Sequence, residues 1–352
     1  MGLPNIIINF KSTAATAIQR GERGIVCVLL VDSELDATTI TKIESVTEID
    51  SLTLTTDEKN YLKRGWIGGI NPIKYMQLIL ADTLAHGLNA AQTIKFDYLV
   101  GAPDIIAADA TDIATAIKTM RSNGIKVKAV LPNTASDDEG IINFTTDDIV
   151  CGTNTYSTEE FCSRIAGLLA GTPLQQSATF YTLSDVDDVP KKTKAQLDAA
   201  INAGKFEIFN DGEKVKVARA VNSLTTIGTG KSADWKSIKI IDIMDLIYMD
   251  IKRTCEDYYI GRYPNNYDNK CILITAIQAY LEGLRQEELL DTYIHTEIDL
   301  ESQTTYLRGI GVDVDDMTEQ EIKEANTSTY VWILATYHIL NAIEDITVNF
   351  YI

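Results

Sequence analysis

The sequence predicts an α/β fold, α+β over the whole chain, and three observations carry that expectation. Residues 96–100 and 127–131 are short apolar runs stopped by Gly101 with Pro103 and by Pro132, and between them Ile113, Ile117 and Met120 recur at helical spacing. Strand, helix, strand is a parallel crossover unit, which lays helices on a sheet face. Residues 25–31, behind Gly24, form a continuous apolar run that reads as a buried strand. From residue 240 the style changes: Ile240, Met244, Ile247 and Ile251 mark one long amphipathic helix, and Leu273, Ile277, Leu281 and Leu284 a second.

The remaining elements follow from local signals. Residues 6–10 are a short β-prone run, trailed by a small, polar stretch. Gly124 stands where a left-handed helix cap is wanted. Ser157-Thr158-Glu159-Glu160 has the form of a capping box before a helix over 161–170, with Gly171 after it. Residues 178–183 read as a strand. Thr193 caps a helix that reaches Ala203 and stops at Gly204. Residues 206–209 and 214–217 alternate around Asn210-Asp211-Gly212, a hairpin signal. Thr318-Glu319-Gln320-Glu321 is another capping box, and 330–340 and 346–352 return to β-rich sequence. A β-prone segment therefore lies near each end. A lone strand leaves backbone groups unpaired, so each end needs a sheet edge in this chain or another.

The chain has 352 residues, 45% hydrophobic and 23% charged, which is globular composition with room for two or three domains. Fifty acidic residues against thirty-one basic ones give a formal charge of −19, which disfavours binding to nucleic acid or an anionic membrane. No apolar run reaches the ~18–20 residues of a membrane-spanning helix, and residues 1–20 lack a signal-peptide pattern, so the expectation is a cytoplasmic, soluble product. The charge is uneven. Residues 191–239 hold ten basic and five acidic side chains, whereas 240–352 hold seven basic and twenty-one acidic. Two solvated faces explain this, and so does a self-complementary surface. Lys214, Lys216 and Arg219, with Asp313, Asp315, Asp316 and Glu319, are the candidate charge contacts of the second reading.

Candidate chemistry is thin. Five cysteines contain no CxxC pair, and the three histidines have no metal-ligand spacing, so neither a disulfide framework nor a metal site is expected. Gly228-Thr229-Gly230-Lys231-Ser232 resembles a phosphate-binding loop, yet Thr225 stands where the full pattern has glycine. A nucleotide-binding enzyme using 228–232 is the alternative this loop offers. No GxSxG is present, and no segment near His86 has a catalytic-histidine pattern. The acidic clusters at 137–139, 185–188 and 313–316 lack the glycine and terminal glutamate of a calcium loop.

Several segments, in order, resemble the tail sheath proteins of contractile phage tails and phage-tail-like bacteriocins, in the short Gram-positive form. They are Gly2-Leu3-Pro4 with 5–10, Gln19-Arg20-Gly21-Glu22-Arg23-Gly24, 127–131 leading to Glu139-Gly140-Ile141, Arg164-Ile165-Ala166-Gly167 through Pro173, Asn202-Ala203-Gly204 through Thr225, and 251–266 with Tyr263-Pro264-Asn265-Asn266. Residues 37–90 match poorly. The resemblance implies an N-terminal arm (1–22), a small β-containing region (23–90), a subtilisin-like α/β sheath domain without protease activity (91–237) and a C-terminal α+β domain ending in a strand arm (238–352). It implies no enzyme activity and no cofactor. Its implied partners are further copies in six-fold rings, a tail tube protein, and baseplate and tail terminator proteins, with no nucleic acid and no membrane insertion. The implied setting is the bacterial cytoplasm during assembly and then a particle released by lysis. The arm strands would be Ile6, Ile7, Ile8 and Phe10 at one end, and Thr347, Val348, Phe350 and Ile352 at the other, each completing a sheet in a neighbour.

Overall fold

The computed structural model describes residues 16–351, which form two compact units. One comprises Gly21–Met249 with 341–351, the other 16–20 with Asp250–Leu340.

The first unit is built on β1 (Ile25–Val31), whose composition explains its position. Val26, Val28 and Leu30 enter one apolar core, and Ile25, Cys27 and Leu29 enter another on the opposite face. A strand apolar on both faces belongs in the middle of a covered sheet. The chain continues through β2 (Thr39–Ile43), α1 (Val46–Ser51), α2 (Thr56–Trp66), β3 (Tyr75–Ala81), α3 (Leu84–Ala91), β4 (Tyr98–Val100), α4 (Ala107–Ser122), β5 (Lys128–Pro132) and β6 (Ile141–Phe144). Next come the hairpin β7 (Ile149–Cys151) and β8 (Asn154–Tyr156), then α5 (Thr158–Ala170), α6 (Lys194–Asn202), β9 (Lys205–Phe206), and the hairpin β10 (Ile208–Asn210) and β11 (Val215–Val217). The main sheet runs β2-β3-β1-β4-β5-β6-β9, parallel except for the edge strand β2. Residues of α2 and α5 pack in one core, and those of α3 and α4 in the other. The regions expected at 23–90 and 91–237 share this one sheet, because β1 pairs with β3 on one side and β4 on the other.

The crossover unit, the Ser157 capping box, the left-handed Gly124, and the helix capped by Thr193 and ended at Gly204 stand where the sequence places them. Two strands do not. Residues 178–183 form no strand: Phe180 takes φ +57° in a turn, and the segment joins β11 through one isolated bridge, Thr182 to Lys216, with backbone hydrogen bonds at Phe180, Tyr181 and Leu183. The expected strand over 206–209 is split at Glu207, which is 2% exposed and accepts hydrogen bonds from Thr145, Thr146 and Lys192. Phe206 ends in the main sheet, and Ile208 starts the hairpin.

Close packing sets two glycines. A Cβ on Gly167 of α5 would lie 1.9 Å from the carbonyl oxygen of Gly65 in α2, and one on Gly171 would lie 2.1 Å from that of Asn71. Beside them Arg164, 1% exposed, donates from Nε and Nη2 to both oxygens of Asp185 (2.7 and 2.9 Å) and from Nη1 to the Gly68 carbonyl (2.6 Å).

α7 (Ile238–Thr254) carries the chain into the second unit and ends in a π-helical turn, Cys255–Tyr259. There α8 (Tyr267–Gln286) packs against β12 (Leu290–Ile298), followed by α9 (Leu300–Gly309), α10 (Glu319–Glu324) and β13 (Ile333–Ile339). The Thr318 capping box is present at α10. β12 and β13 form an antiparallel two-stranded sheet. No helix among the described residues is long and apolar enough to cross a membrane.

Candidate functional site

The sequence singles out the two terminal segments, of which the structure describes the root of one and most of the other. Residues 347–351 form no strand and are all exposed; the apolar Ile346, Val348 and Phe350, 75%, 63% and 85% exposed, alternate in sequence with Thr347 and Asn349. Ile6, Ile7, Ile8, Phe10 and Ile352 lie outside the described residues. The root of the N-terminal segment is held within its own unit: Arg253 donates to the Gln19 carbonyl (2.8 Å), Tyr259 to that of Thr16 (3.4 Å), and Arg20 pairs with Glu287 (3.1 Å).

The charge candidates separate. Lys216 is spent on Asp211 in its own hairpin, and Arg219 on Glu344 and Asp345. Asp315 pairs with Arg308 at 2.9 Å. Lys214, Asp313, Asp316 and Glu319 are exposed.

The 228–232 loop follows an antiparallel hairpin rather than a parallel strand. Lys231 donates to Glu139 (2.9 Å) and lies over the Trp235 ring. Its charge is already answered, and the nucleotide-loop reading finds no support here. His86 is exposed and bonded through Nδ1 to Asp82, just before the N-cap of α3 (2.7 Å). Asp137 accepts from the backbone amides of Thr225 and Thr226 (2.6 and 2.8 Å), which holds its carboxyl well below the ordinary range. Asp185 is taken by Arg164, Asp187 accepts from the Gly152 amide (2.6 Å), and Asp188 from Asn210 (2.7 Å). These clusters brace loops.

Sequence reading missed a buried ionic network at the start of three strands. Arg23 before β1, Tyr98 in β4 and Lys128 in β5 converge on Asp242 of α7 (2.7, 2.8 and 3.0 Å). Lys128 also reaches Asp245 (2.9 Å), which Arg121 grips with two nitrogens (2.8 and 3.0 Å). Burial pushes the Asp245 carboxyl up, but Lys128 and Arg121 outweigh it and hold it below the ordinary range. The only sequence signal was a pair of aspartates three apart on a helix, beside strands that begin with a basic or phenolic residue.

Two family models cover most of the chain: the phage tail sheath protein central domain over residues 68–223, and the phage tail sheath C-terminal domain over 230–352. The tail sheath protein of Clostridium phage phiCD119 is 37% identical over 357 residues, covering 99% of each chain. The chain belongs to the phage tail sheath family. The family sheath fold is also visible in solved structures. The sheath tail protein from Desulfitobacterium hafniense superposes with a TM-score of 0.70 at 16% identity, covering 96% of this chain and 100% of that one. The helical sheath of the anti-feeding prophage in its contracted state gives 0.73 at 15%, covering 100% and 99%. This sheath family chain is a structural subunit of mixed α/β architecture with a largely parallel central sheet.

Proposed function

We propose that copies of this chain polymerise as six-fold rings around a tail tube and that the resulting sheath contracts to drive the tube through a bacterial envelope. The whole-length likeness to a phage tail sheath protein carries the reading. The central body serves as the family's subtilisin-like scaffold, without protease activity and without a cofactor. The work of contraction comes from the free-energy difference between two lattices of one subunit, so no bound fuel is needed. Switching between them requires contacts that break around connections that persist. Donated strands suit the persistent role, because several backbone hydrogen bonds per strand must fail together. The exposed alternation at 346–350 supports a C-terminal donor. β12 and β13 pair only with each other among the described residues, which supports an acceptor with two open edges. Lys214 with Asp313, Asp316 and Glu319 are the charge contacts retained in this reading. The further partners are the tube, baseplate and terminator proteins, met in the host cytoplasm before lysis releases the particle.

Electron microscopy of the purified chain tests this. Tubes or stacked rings are expected; a protein that stays monomeric at every concentration and salt tried, also when supplied with its tube protein, overturns it.

A further inference from the structure

The C-terminal segment does not leave the body freely. Glu344, with a side chain 14% exposed, sits in a set of converging donors. Ser177 Oγ and Thr179 Oγ1 both donate to its Oε1 (2.8 and 2.7 Å), and Arg219 Nε donates to its Oε2 (2.8 Å). Arg219 Nη2 reaches the adjoining Asp345 (2.5 Å). Burial pushes the Glu344 carboxyl up, yet Arg219, Thr179 and Ser177 prevail and hold it below its ordinary range.

The donors are themselves fixed. Thr179 Oγ1 accepts from the Ala220 amide (3.0 Å), which ties it to the Arg219 segment. Phe180, next to Thr179, holds a left-handed backbone that an aromatic residue rarely adopts, and its amide donates to the Val217 carbonyl (2.9 Å). This is the turn that replaces the strand expected over 178–183. Such strain persists only where surrounding contacts over-determine it. Its effect is to present two hydroxyls side by side, facing a guanidinium.

We propose that Ser177, Thr179 and Arg219 form a carboxylate receptor for Glu344 of the same chain, which fixes the point and direction at which the C-terminal strand is donated. Glu344 is half-buried between exposed Ile343 (87%) and Ile346 (75%), so the anchor is this one side chain with the Asp345 contact beside it, and the donor follows from Ile346. The proposal rests on the sheath reading for its word "donated", while the receptor itself stands on the contacts above. From Asp345 to Tyr351 an extended chain spans about 20 Å.

The test uses the full chain, with Glu344→Gln, Ser177→Ala with Thr179→Val, and the exchange Arg219→Glu with Glu344→Arg. Backbone ¹⁵N relaxation on the unassembled protein is expected to give order parameters near 0.85 for residues 342–345 in the wild type and below about 0.6 in the first two variants. The exchange should recover rigidity. Tubes of the first two variants should dissociate roughly tenfold or more faster, since each loses bonds to a charged group. Wild-type residues 342–345 that are already mobile, or variants that leave them rigid, overturn the receptor. Rigid wild type and mobile variants with tubes of unchanged lifetime overturn its positioning role. A wild type that forms no tubes overturns the sheath reading, and the relaxation result still decides the receptor.

Discussion

Lys128 illustrates how one residue ties chemistry to architecture. It is 3% exposed at the start of β5, bonded to two aspartates that no local pattern links to it. Removing one partner of such a pair strands the other charge in a low dielectric, so Lys128→Met should cost about 3–5 kcal/mol, read from urea denaturation. The pH dependence follows. Asp245 is depressed, so its contribution is present above the unfolded carboxylate value and is lost as pH falls through the folded one. Burial lowers Lys128, but Asp245 and Asp242 raise it further, so its contribution is present below the unfolded lysine value and is lost as pH rises through the folded one. Stability should therefore be flat between roughly pH 4 and pH 10 as far as this network is concerned. A midpoint that drifts strongly between pH 5 and pH 8 in wild type, and not in Lys128→Met, contradicts the assignment. Lys231 is the contrasting case. It is partly exposed with one carboxylate partner, so Lys231→Ala should cost ~1 kcal/mol at most and leave titration with ATP and magnesium featureless. Micromolar heat in the wild type that vanishes in the variant would restore the nucleotide reading.

Among the elements, legibility depended on whether the deciding interaction was local. The capping boxes at Ser157 and Thr318 and the cap at Thr193 are local bonds, and each was readable. The same signal at Thr55 and Glu58 starts α2, inside the stretch the resemblance left weakest. The split at Glu207 was not readable, because Thr145, Thr146 and Lys192 come from other segments. Arg219 was singled out for its charge, but its partner lies 125 residues away, so an external contact was the natural expectation. The crossing of α2 and α5 is equally non-local. Gly167→Ala should destabilise by about 1–3 kcal/mol, because the methyl group must push α2 aside. Equal thermal midpoints for Gly167→Ala and wild type would show that the helices separate at no cost.

At the scale of the whole molecule, the proposed function predicts that the two ends of the chain separate folding from assembly. Deleting 1–9, or 347–352, should leave circular dichroism and the urea midpoint close to wild type, because residues 347–351 are exposed and enter no sheet of their own subunit. Both deletions should abolish stable tubes in sedimentation and microscopy. Normal tubes from either one would remove that end from the set of connections. Reversing Lys214 to Glu should weaken tubes mainly at low salt, since an exposed pair is worth ~0–1 kcal/mol and is screened beyond about 8 Å at physiological ionic strength. Tube yield that ignores salt in wild type and in the reversal would end the charge-docking idea.

The larger unit is discontinuous in the chain, and that has a consequence for synthesis. Gly21–Met249 emerges from the ribosome first and carries the entire main sheet. Glu344 follows about a hundred residues later, roughly 5–20 s at ordinary elongation rates. Throughout that interval the hydroxyls of Ser177 and Thr179 and the guanidinium of Arg219 stand without their carboxylate. A nascent chain thus passes its folding milestone well before it can present a rooted arm. Under the proposed strand donation, the order of synthesis itself would hold back polymerisation on a crowded polysome, where neighbouring chains are all incomplete.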